Sequence, residues 1–147
     1  MCDVVIARRA DGYEISTDAD RLDLDRVHRW LSTDAFWALG RSRETVERSV
    51  AASTNFGVYD AAGRQVAFAR VVSDLATFAW LCDVYVDQGH RGLGIGTWLT
   101  AAVRDHLAPY KLQRVLLSTK DAHEVYARAG FVTFPDPERL MYMSFVS

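Results

Sequence analysis

The sequence predicts a single mixed α/β domain built in layers, and three observations carry that reading. Leu24, Val27, His28 and Leu31 recur at spacings of three and four, as one face of a helix does. Asn55 to Asp60 and Gln65 to Ser73 are β-rich runs joined by the turn Asp60-Ala-Ala-Gly63, which predicts an antiparallel hairpin. From Phe78 a strand, a glycine-dense loop, a helix and another strand follow in order. A crossover of that kind pairs strands in parallel and places a ligand at their carboxyl ends.

Element by element, Val4 to Ala7 and Tyr13 to Ser16 flank the turn Ala10-Asp11-Gly12 and predict an N-terminal hairpin. A first helix starts near Leu22, with Asp23 and Asp25 where the helix dipole favours them. Ser32-Thr33-Asp34 breaks its period. The apolar connector Ala35 to Leu39 leads to a second helix from Ser42, with Glu44 in its first turn and Val46 and Val50 on one face. Phe78 to Val86 reads as a buried strand broken only by Asp83. After the glycine loop, Ile95, Trp98, Leu99, Ala102 and Val103 share a helix face, and Pro109 closes that helix. Arg114 to Ser118 is a strand, Asp121 to Ala129 a helix stopped by Gly130, and Met141 to Val146 a final strand.

The 147 residues are half hydrophobic, carry 17 Lys plus Arg against 19 Asp plus Glu, and contain no repeat or linker. A chain of this length buries roughly 70 % of its unfolded surface, enough for a full core. A formal charge of −2 without charge blocks removes the term that dominates nucleic-acid binding, so no nucleic-acid partner is expected. Four apolar residues before Arg8 and Arg9 fall short of a signal core or a membrane span, so no membrane anchoring is expected. Cys2 and Cys82 offer no metal-ligand spacing and need not pair, so no metal is expected and a reducing cytoplasm suits the chain.

The loop Val86-Asp87-Gln88-Gly89-His90-Arg91-Gly92-Leu93-Gly94-Ile95-Gly96-Thr97 carries the most chemistry. Alternating glycines let backbone amides converge and let a ligand approach, while the helix start supplies free N–H groups and about half a positive charge. That combination suits a phosphate. Gly-Lys-Ser/Thr is absent, and the spacing is not that of a dinucleotide fingerprint. The other reading of the loop is a tight turn whose glycines serve packing.

Arg91, Gly94 and Gly96 satisfy Arg-x-x-Gly-x-Gly, and here the chain resembles the GNAT superfamily of acyl-CoA-dependent N-acyltransferases. A second stretch, Ala122-His-Glu-Val-Tyr126-Ala-Arg-Ala-Gly130-Phe131, resembles that family's later motif at the family's separation. The resemblance implies the GNAT fold, a central mixed sheet flanked by helices. It implies acetyl-CoA as acyl donor, with Arg91, Gly92, Leu93, Gly94, Ile95, Gly96 and Thr97 around the pyrophosphate of coenzyme A. Backbone groups of Val84, Tyr85 and Val86 would receive the pantetheine arm. Thr119 stands where many members have an asparagine, and Tyr126 would give the departing sulfur its proton. As a core residue Tyr126 would instead simply pack.

Acyl transfer requires a neutral amine, and deprotonating an alkyl amine at pH 7 costs about 4 kcal/mol. Many family members carry a carboxylate where this chain has Cys82; the nearest carboxylate is Asp83, which alternation sends to the opposite face unless a bulge intervenes. Asp83 is thus a candidate base, or a carboxylate bonded to an arginine or a helix start; His28 is a second candidate. The acceptor would lie between the N-terminal helices and the central strand, against Phe36, Trp37, Trp80 and His28, with Asp34 near. The expected activity is acetyl transfer to a small-molecule or peptide amine. The alternative is a non-catalytic acyl-CoA-binding regulatory module, and an exposed edge at the last strand makes a homodimer an expectation.

Overall fold

Capping decides where the first two helices begin. In the computed structural model, which describes residues 4–146, the Asp23 side chain accepts the Arg26 amide at the start of α1 (Leu24–Thr33). Ser42 does the same for Thr45 at α2 (Arg43–Ala51). Cys2 lies outside the described residues.

Six strands form one sheet in chain order: β1 (Val5–Arg8), β2 (Glu14–Ser16), β3 (Thr54–Tyr59), β4 (Gln65–Ser73), β5 (Phe78–Val86) and β6 (Arg114–Leu116). Pairing is antiparallel from β1 to β5 and parallel between β5 and β6, as the crossover through α3 (Ile95–Leu107) requires. On one face α1 and α2 pack Val27, Trp30, Leu31, Val46 and Val50 against Phe68 and Tyr85. On the other, α3 packs Ile95, Leu99, Val103 and Leu107 against Phe56, Val58, Ala69 and Leu81. The short α4 (His123–Arg128) leans on α3.

Two features of β5 shape the site. Its ladder with β6 covers only Phe78, Ala79 and Trp80, so Leu81 to Val86 run on without a β6 partner among the described residues. Its ladder with β4 slips between the pairs Phe68↔Tyr85 and Arg70↔Cys82, where Asp83 is extruded in the left-handed region at φ 52°. A bulge there resets the alternation, and a non-glycine residue in that conformation costs of order 1–3 kcal/mol.

The final strand expected over Met141 to Val146 does not form; the segment is unpaired and exposed. A strand is fixed by its ladder as well as by its residues, and no neighbour within the described chain supplies one. The strand expected to reach Ser118 ends at Leu116, and the last helix is shorter at both ends than predicted.

Candidate active site

β5 delivers the chain to the glycine loop, which is held from three sides. Arg91 Nε donates to the Val86 carbonyl at 3.0 Å, and its Nη2 reaches Asp34 Oδ2 at 3.3 Å. Arg9 of the N-terminal hairpin donates to the Leu93 carbonyl at 3.0 Å while lying between the rings of Tyr13 and Trp98. Tyr13 Oη meets His90 Nδ1 at 2.8 Å. Arg91 therefore spends its guanidinium bracing the loop.

Gly92 and Gly94 adopt φ of 80° and 74°, and Gly94 is the N-cap of α3 without a side-chain cap. A Cβ at either position would point into open space. The first turn of α3 thus presents uncapped amides to open space, which suits an anion. Ile95 is buried beneath it, Gly96 lies against Val86, and Thr97 continues the same turn. Thr119 accepts the Ala122 amide at 3.0 Å and so shapes the entry to α4.

The bulge gathers a charged cluster on the α1/α2 face. Buried Asp83 accepts from Trp37 Nε1 (2.9 Å), Arg41 Nη1 (2.8 Å) and Arg70 Nε (2.9 Å), and Arg70 also donates to Ser53 Oγ. Burial alone would raise its carboxyl, but the two guanidiniums and the indole outweigh burial and leave it below the ordinary carboxylate range. Of the two sequence readings of Asp83, the geometry is that of a carboxylate bonded to arginines. The bulge realises the exception to strand alternation and brings Cys82 and Asp83 both toward Arg70. Burial pushes the Cys82 thiol up to about 11, so it stays protonated at neutral pH.

Among the other predicted residues, Trp37 and Phe36 are exposed and stack edge to face at 5.1 Å, with Lys120 Nζ over the Phe36 ring. Trp80 is half-buried on the same side of β5 as Cys82. His28 bonds the Arg41 carbonyl at 3.0 Å through Nε2, which makes it a support for the connector. Tyr85 stacks on Trp30 and donates to Asp34 at 2.5 Å, while Val84 and Val86 pack toward α3. Tyr126, half-buried on α4 against Phe131, has its hydroxyl pushed above the usual value by burial.

The family described as "Acetyltransferase (GNAT) family" matches residues 24–131, about three quarters of the chain. The chain belongs to the GNAT family. A GNAT protein from Xanthomonas campestris pv. campestris, provisionally named an acetyltransferase, is 43 % identical; its structure superposes with a TM-score of 0.86 over 94 % of this chain and 95 % of that one. A provisionally named acetyltransferase from Gibberella zeae is 28 % identical, covering 79 % of this chain and 76 % of the relative. The fold also matches N-acetylglutamate synthase from Neisseria gonorrhoeae, solved with coenzyme A and N-acetyl-glutamate, at 20 % identity and a TM-score of 0.71. That match covers 90 % of this chain and 31 % of the synthase.

Sequence reasoning missed three parts of this GNAT site. Arg41 and Arg70 were not singled out as partners of Asp83, although Arg70 is the one charge in its apolar strand and stands opposite Cys82. The bond between Tyr85 and Asp34 joins residues 51 apart and leaves no local signal. Nor does the reach of Arg9 and Tyr13 to the glycine loop.

Proposed function

We propose that this GNAT protein transfers an acetyl group from acetyl-CoA to a primary amine by direct attack, without a covalent enzyme intermediate. One observation carries the reading: uncapped α3 amides and left-handed Gly92 and Gly94 open onto free space where β5 leaves β6. Those residues fit a pyrophosphate, and the unpaired stretch of β5 fits an extended amide-bearing arm, as the pantetheine of coenzyme A is. When bound, acetyl-CoA supplies an activated thioester. Amides from Gly92 to Thr97 would hold the phosphates, and backbone groups of Val84 and Val86 would align the arm.

The amine enters past Trp37 and Phe36, whose faces suit an ammonium or its apolar neighbours. Asp83 fixes Trp37, Arg41 and Arg70 as one wall and is a positioning residue rather than the base. Cys82 stays a thiol and His28 serves Arg41, so the amine proton leaves to water. Tyr126 Oη, kept protonated by burial, gives its proton to the leaving sulfur.

Cys82, standing where many family members carry a carboxylate, favours a second reading, an acyl-CoA-binding regulatory module. Release of coenzyme A thiol from acetyl-CoA, read with a thiol-reactive dye across a panel of amines and peptides beside a calorimetric titration of coenzyme A, separates the two. Turnover with any acceptor supports the enzyme, binding without turnover supports the module, and absence of binding overturns both.

A further inference from the structure

On the face of the sheet opposite α3, α1 and the carboxyl end of β5 border a cleft of about 510 Å³, the size of a small-molecule site. The stacked rings of Trp30 and Tyr85 line it, and Arg26, Arg29 and Arg64 bring three guanidiniums to it. Arg26 and Arg29 stand three apart on α1 and so share a face. Arg64 comes from the turn between β3 and β4, which is tied to the start of α1 where Gln65 Oε1 accepts the Asp23 amide at 2.8 Å. The end of β5 is fixed beside them by the Asp87 amide, which donates to the Val66 carbonyl at 2.8 Å. None of these ties uses a guanidinium, so the lining is in place before a ligand arrives.

Charge in the cleft does not balance. Asp34 and Asp87 also line it, but Asp34 Oδ2 already accepts from Tyr85, Gln88 and Arg91. Asp87 takes Arg26 Nη2 at 3.4 Å, the one hydrogen bond of that guanidinium among the described residues. Arg29 and Arg64 form no ion pair among the described residues. Arg26 is only 8 % exposed, and its Nε is buried without a hydrogen-bond partner. Buried donors left unmatched are rare, and the guanidinium fork matches the paired oxygens of phosphates and carboxylates.

We propose that this cleft binds a small organic dianion, a phosphate monoester or a dicarboxylate, at a site separate from the α3 amides. Arg29 and Arg64 answer its two negative charges, Arg26 closes the buried end, and the rings of Trp30 and Tyr85 suit its carbon skeleton. Asp34 and Asp87, each already held by an arginine, oppose a ligand of higher charge.

Phenyl phosphate and succinate serve as probes, each titrated calorimetrically into the full chain in phosphate-free buffer. At least one should bind, and the tighter of the two tells which dianion the cleft takes. Binding should persist in Gly94→Val, where a side chain obstructs the α3 amides. It should weaken roughly tenfold or more in Arg29→Ala combined with Arg64→Ala, with an unchanged circular dichroism spectrum, because both side chains are exposed and unpaired. If a variant fails to fold, the native chain decides through the Nε–H resonance of Arg26, assigned with Arg26→Lys, which should shift as the probe is added. Neither heat nor a shift with either probe, binding equally tight in the double alanine variant, or binding lost in Gly94→Val would each overturn the proposal. Neither probe is an acyl donor and no readout requires acetyl transfer, so failure here leaves the enzymatic reading standing.

Discussion

Asp83 Oδ2 accepts from Arg41 Nη1 and Arg70 Nε at once, at 2.8 and 2.9 Å, so one buried carboxylate ties the connector after α1 to the centre of β4. The bulge is what makes the double contact reachable. It turns the residue at φ 52° out of the strand's alternation, and its backbone strain persists because three donors hold the side chain there.

Removing that carboxylate leaves two guanidiniums partly buried without a counter-charge, which costs about 3 kcal/mol or more. Asp83→Ala should therefore lower the melting temperature by roughly 10 °C at about 3 °C per kcal/mol for a domain of this size. Asp83→Asn tolerates the left-handed backbone and keeps an acceptor for Trp37, so it should lose less. Thermal unfolding by circular dichroism checks the order. If Asp83→Asn unfolds like the wild type yet loses all turnover, Asp83 is the base and the positioning role is wrong.

The same carboxylate sets an acid limit. Its native value lies below the ordinary one, near 3.9, so the folded state binds fewer protons than the unfolded state across that interval. The stabilisation is complete above about pH 4 and declines as pH falls from there through the lower native value. Melting temperature followed from pH 6 to pH 3 should fall more steeply for wild type than for Asp83→Asn. Parallel curves would show that the cluster contributes little.

Much of this site could be read from local patterns. Helical spacing revealed α1 and α2, β-rich runs on either side of the turn Asp60 to Gly63 revealed β3 and β4, and the loop from Gly89 to Gly96 announced itself because its glycines answer a local backbone need. What could not be read depends on neighbours distant in sequence. Asp83 looked misplaced because the bulge that turns it toward Arg70 arises from the register of β4 against β5. The final strand was legible as strand-forming residues, but a strand needs a partner, and the described residues do not provide one.

Gly94 tests the anion site. Gly94→Val places a branched side chain in the open space before α3 and imposes a left-handed backbone on a β-branched residue, at about 1–3 kcal/mol. The variant should remain folded at 20 °C while its affinity for coenzyme A falls at least a hundredfold by calorimetry. Affinity close to wild type would remove the first turn of α3 from the binding site.

Loop bracing makes a separate prediction. Arg9→Ala deletes the donor to the Leu93 carbonyl and the cation between Tyr13 and Trp98. The two contacts together are worth about 1–2 kcal/mol, so the affinity for coenzyme A should weaken roughly tenfold with kcat at saturation nearly unchanged. A fall in kcat with unchanged affinity would mean that the hairpin acts on the chemical step instead.

Tyr126 carries the last test, because its effect should separate from binding. Burial raises its hydroxyl above the usual value of about 10, so it holds its proton through pH 9 and can donate when the thiolate leaves. Tyr126→Phe keeps the ring against Phe131 and should leave affinity for coenzyme A within about twofold while kcat falls a hundredfold or more, the lower bound for a lost proton donor. In the wild type, kcat/KM for an alkyl amine should climb about tenfold per pH unit from 6 to 9, following the neutral amine, with no descending limb in that interval. A descending limb between pH 7 and 9 would require a donor of lower pKa than a buried tyrosine. Equal losses of affinity and turnover in Tyr126→Phe would make the hydroxyl a cofactor contact, and the proton for the sulfur would then have to come from water.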